Sequence, residues 1–127
     1  MRLMVFAVTL GLAGVVHAEP LAKEEGDFVA QEISAATVYA KCSGFEMVPN
    51  AGEAIGDRMG VGANVRSAAM AAYAQTIPGL QFNRAYLIPE VTRRANDVMR
   101  LLRQKEDDGT LCGLAPAYAK LGWIRAK

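Results

Sequence analysis

The chain has 127 residues, of which 52% are apolar, with 14 basic against 13 acidic side chains. It is too short for two ordinary domains and too apolar for a disordered chain, so one small globular domain is expected. A balance so near zero gives no generic attraction to nucleic acid or to an anionic membrane.

Arg2 precedes an uncharged apolar stretch over residues 3–16, and Val16-His17-Ala18 puts short side chains where signal peptidase reads. Residues 1–18 therefore read as a cleaved export signal, and 19–127 as the mature domain. The stretch is shorter than the roughly 20 residues a spanning helix needs. No later stretch is apolar for long enough either, so the expected product is periplasmic or secreted and has no membrane span. The only histidine, His17, leaves with the signal. No Ser-His-Asp or Cys-His arrangement and no imidazole metal ligand can then be assembled, and neither metal nor cofactor is expected.

Cys42 and Cys112 are the only cysteines. In an exported chain they read as one disulfide, since two thiolates without histidine do not complete a zinc shell.

From Glu24 to Phe45, apolar residues recur at helical spacing as Phe28, Ala35, Val38, Tyr39 and Cys42, with Val29, Ile33, Ala36 and Ala40 on an adjoining stripe. So wide an apolar surface predicts a central helix. Residues 49–64 carry Gly52, Gly56, Gly60 and Gly62 and read as a loop with one short helical turn, although glycines four apart would share a face if the stretch were helical. Asn64 is a candidate cap for an alanine-rich helix to about Thr76, ended by Ile77-Pro78-Gly79. The longest amphipathic stretch follows, with Leu87, Ile88, Val91, Ala95, Val98, Leu101 and Leu102 to one side, and Pro89 either starts or kinks it. Glu106-Asp107-Asp108-Gly109 turns the chain, and Thr110 caps a last segment that Pro116 shortens or bends. No period-2 stretch stands out. The expected fold is all-α, a bundle of four or five helices stapled from Cys42 to Cys112.

Charge is unevenly spread. Residues 19–57 hold eight acids and two bases, whereas residues from Arg58 onward hold eleven bases and five acids. Either the halves neutralise each other within the fold, or a basic face is offered to an acidic partner. Arg93, Arg94, Arg100, Arg103 and Lys105 lie opposite the apolar side of the long helix, and guanidinium groups on one rigid helix can meet carboxylates bidentately. Trp123, with Tyr118 and Tyr86, is either a recognition anchor or core, and a small domain with one tryptophan favours core. The carboxylate pairs Glu53/Asp57 and Asp107/Asp108 read as solvated acids rather than catalytic dyads.

These features fit an exported protein-binding module best, an inhibitor or regulator of a cell-envelope enzyme such as a peptidoglycan hydrolase. On this expectation the partner is another exported or envelope protein and the contact residues are Arg93, Arg94, Arg100, Arg103 and Trp123. The alternatives are an acid- or envelope-stress chaperone, an immunity-type or structural envelope protein, and, last, an enzyme working through carboxylates or lysines.

Overall fold

The computed structural model describes residues 20–127, so the expected export signal lies outside the described residues. Among those residues there are five α-helices: α1 (Lys23–Lys41), α2 (Ala51–Met59), α3 (Ala63–Ala74), α4 (Pro89–Asp107) and α5 (Ala115–Leu121). Two 3-10 turns, Arg84–Tyr86 and Leu111–Leu114, and two short strands, β1 (Phe45–Met47) and β2 (Ile124–Ala126), complete the order. None of these helices is long and apolar enough to cross a membrane.

Helix α1 is central, as its wide apolar surface implies. Phe28, Val29, Ile33, Ala35 and Val38 are buried, and α1 packs against α2, α3, α4 and α5. The pair α1/α4 is the most extensive, with Val91, Ala95, Val98 and Leu102 forming the buried stripe of α4 at spacings of four, three and four. Leu101, expected on that stripe, sits on its flank and is exposed, and Tyr39 is likewise exposed on α1. Pro89 starts α4 rather than kinking it: it occupies the first turn, where its missing N–H costs nothing.

The helix expected to run to Phe45 stops at Lys41. Cys42 caps it, Gly44 turns the chain at φ +92°, and Phe45–Met47 pairs antiparallel with Ile124–Ala126. The expected all-α bundle forms, with five helices, and this ribbon is its one local addition among the described residues. Its strands are three residues each, too short to show a period of two. Gly122, at φ +95°, ends α5 and returns the chain into β2.

Residues 49–64 are also more regular than expected, because α2 occupies most of the segment and Gly60 ends it in the left-handed region. Gly52 and Gly56 are inside that helix, where packing overrides their poor propensity. Asn64 does not cap α3; Gly62 holds that position, with Asn64 within the first turn. Thr110 precedes the second 3-10 turn but its hydroxyl donates back to Lys105 O at 3.3 Å instead of capping.

Cys42 and Cys112 form the disulfide, which ties the end of α1 to the turn before α5 across 70 residues. Trp123 is 1% exposed, packs at 5.5 Å and a tilt of 54° on Phe28, and donates Nε1–H to Gln31 Oε1 at 2.9 Å. That burial removes it from the candidate contact surface and gives it the core role.

Candidate functional site

The arginines of α4 do not form one free basic face. Arg93 pairs with Glu90 at 2.6 Å and Arg100 pairs with Asp97, each an acid one turn earlier. Arg94 turns inward and donates Nε–H to the carbonyl of Gly26 at 3.2 Å, fastening α4 to the first turns of α1. Arg103 is exposed and borders, with Arg100, Lys41 and Glu106, a depression between α1, α3 and α4. Exposed pairs of this kind contribute little stability, and they lower the charge the face presents.

Neutralisation between the halves is partial. Asp57 meets Arg66 at 2.9 Å and Glu46 meets Arg125, both acid from the first half and base from the second. Lys41–Glu106 at 3.2 Å runs the other way.

A second location has the attributes of a site. Glu32 lies on α1 one turn from both Phe28 and Ala35, so the helix carries its carboxyl toward the core with its apolar neighbours; the residue is 8% exposed. Its Oε1 is fully buried and has no hydrogen-bond partner among the described residues. The room for the carboxyl comes from α2, where a Cβ at Gly52 would stand 3.1 Å from Oε2. Gly56 does the same for Arg66 of α3, because a Cβ there would lie 2.5 Å from the arginine Cδ. The two glycines four apart thus make a bare strip on α2, occupied by one carboxyl and one arginine stem.

Arg66 is itself held. Its Nη1 donates to Asp57 Oδ1 at 2.9 Å and to the carbonyl of Val61 at 3.1 Å. Two influences on Glu32 follow: burial disfavours its charged form, and the Arg66 charge favours it. Burial is the larger, so the Glu32 pKa is pushed up from 4.5 to about 7.

Glu32 and Arg66 border an open cleft of about 620 Å³. Its walls are α3, through Met70 and Ala74, and the connection from α3 to α4, through Leu80, Phe82 and Tyr86. That connection is organised by short-range contacts. Asn83 Oδ1 accepts from the Ala85 N–H at 2.9 Å, and the Arg84 guanidinium lies over the Phe82 ring at 5.6 Å. Met70, Leu80 and Tyr86 are about half exposed, so three of the largest exposed apolar side chains border one concavity.

Of the acids weighed in the sequence, Glu53 lines this cleft and Asp57 anchors Arg66, whereas Asp107 and Asp108 are exposed at the end of α4, outside the cleft. Sequence reasoning passed over Glu32. The signal was present: in the series Phe28, Ala35, Val38, Cys42 the rung one turn after Phe28 is missing, and Glu32 fills it. Comparison with family models, with curated proteins and with solved structures returned no match.

Proposed function

We propose that the chain is an exported, non-catalytic protein-binding module that inhibits or regulates a cell-envelope enzyme, a peptidoglycan hydrolase or lysozyme-like protein being the fitting class. The observation that carries this reading is the clustering of Met70, Leu80 and Tyr86 around one open cleft, since monomers rarely gather large exposed apolar side chains without a partner for them. The signal-like residues 1–18, the disulfide and the lack of histidine after His17 support export and docking over hydrolysis by an imidazole. The docking surface in this reading is the cleft. Arg100 and Arg103 border a separate depression and lie outside this docking surface.

A catalytic reading has one observation in its favour, a carboxyl with a raised pKa in a cleft that Glu53 also lines. Turnover separates the two readings, because Glu32→Gln abolishes a reaction that needs its proton.

The test is capture of partners from an extract of exported proteins by the mature, oxidised chain, followed by assay of each recovered enzyme for inhibition. Recovery of one enzyme, inhibited by the chain, retained by the Arg93/Arg94/Arg100 charge reversal and lost with Met70→Asp, is the expected result. Retention by Met70→Asp and loss on charge reversal would move the contact to the α4 arginines.

A further inference from the structure

Glu32 is more than nine-tenths buried, borders the cleft, and holds an oxygen that no group among the described residues satisfies. Unpartnered buried carboxyl oxygens are costly and rare, so the one on Glu32 calls for a specific cause. The charges around it show which donor fits. From α2 come Glu53, on the cleft wall, and Asp57. From α3 comes Arg66, whose Nη1 is already engaged by Asp57 and by the Val61 carbonyl. The connection to α4 adds no charged group to the wall, only Gln81, Asn83 and Tyr86 among its polar side chains, and Arg84 stacks on Phe82. The cleft therefore offers two acids, Glu32 and Glu53, against its one cation, Arg66, beside the apolar side chains of Met70 and Ala74. An anion would meet Glu32 and Glu53. A neutral apolar group would leave the Glu32 oxygen unsatisfied.

We infer that the cleft takes an alkylammonium group, in a protein partner the side chain of a lysine, with the ammonium donating to Glu32 and the methylene stem lying along Met70 and Ala74. This rests on the docking reading for the identity of the partner, but the site chemistry does not depend on it. A carboxyl left protonated by burial gives up its proton to solvent when the cation arrives, and the pair N–H⁺ to O⁻ takes the place of the neutral acid. Association therefore strengthens as pH rises toward about 7 and levels off above it, where Glu32 is already ionised in the free chain.

The experiment uses hexylammonium as the probe, with hexanoate and hexanol as controls, followed by amide NMR shifts of the oxidised chain. Saturable shifts at Gly52, Ser67 and Met70 with hexylammonium alone are expected. Glu32→Gln should weaken that binding about tenfold or more, as loss of a charge-assisted hydrogen bond implies. The carboxyl carbon of Glu32 should titrate at lower pH when hexylammonium is bound, a readout that a purely structural glutamate would not show. Equal binding of hexanoate, unchanged affinity in Glu32→Gln, or no hexylammonium binding across the millimolar range would each overturn the inference. The two readings fail separately. If Met70→Asp abolishes capture of a partner while hexylammonium does not bind, docking stands and the lysine falls. If hexylammonium binds through Glu32 while Met70→Asp leaves capture intact, the ammonium site stands and docking in the cleft falls.

Discussion

A carboxyl oxygen of Glu32 packs against the bare backbone of Gly52: a Cβ built there would lie 3.1 Å from Oε2. Helix α2 accepts the poor helix propensity of glycine because the bare backbone lets α1 bring a glutamate against it. Gly52→Val should therefore destabilise the chain by about 1–3 kcal/mol through overpacking. Gly113→Ala, where a Cβ meets nothing within 4 Å, should stay within about 0.5 kcal/mol of the parent. Urea midpoints of the two variants check this, and equal midpoints would remove the packing role of Gly52.

Stability should fall as pH rises from about 4.5 to about 7 and level off above that. The unfolded glutamate releases its proton near 4.5, whereas folded Glu32 keeps its proton to about 7, so between those values the folded state binds more protons. A group whose folded pKa is raised in this way favours folding below the unfolded value and loses that advantage as pH climbs to the folded value. The loss is about 3 kcal/mol for a displacement from 4.5 to about 7. Glu32→Gln should abolish the falling limb and be the more stable protein at about pH 8.

Arg66 restrains that effect, since its charge is the influence that lowers the Glu32 pKa. Arg66→Met removes the attraction and keeps the stem against Gly56. The falling limb should then extend to higher pH than in the parent. Thermal unfolding followed at a series of pH values would show it, and an unchanged or shortened limb would mean that Arg66 does not act on Glu32.

The disulfide joins residues 70 apart, and closing a loop of that size constrains the unfolded chain by about 4 kcal/mol in the chain-entropy model. Replacing both Cys42 and Cys112 by alanine should lower stability by that order, a large share of the total for a domain this small. A urea midpoint unchanged by the double substitution would show that the α1 and α5 ends hold together through packing alone.

Much of the architecture was legible in the residues themselves. The width of the α1 stripe places that helix centrally, Pro89 offers a start or a kink and proves to be the start of α4, and the two lone cysteines pair with each other. Trp123 is core because the chain has no other side chain of its size. Helix α2 was hidden by its glycines, which lower intrinsic propensity while serving a tertiary contact that propensity cannot express. The ribbon of β1 and β2 was hidden by length. Glu32 was hidden for a different reason: counted among the acids of the first half it looks like surface charge, and only its rung on the α1 stripe marks it as buried. The arginines of α4 stand out in the sequence because they are many, yet Glu90, Asp97 and the Gly26 carbonyl engage three of them, which no count of basic residues could anticipate.

The most direct measurement is the titration of the Glu32 carboxyl carbon in the free, oxidised chain by NMR, with Glu32→Gln to assign the signal. A midpoint at about 7 is the expected result, and it would establish a buried carboxyl that keeps its proton beside the cleft. A midpoint in the ordinary carboxylate range, with stability flat between about pH 4.5 and 7, would contradict the account, because it would mean that Glu32 is solvated and that the cleft carries no such centre.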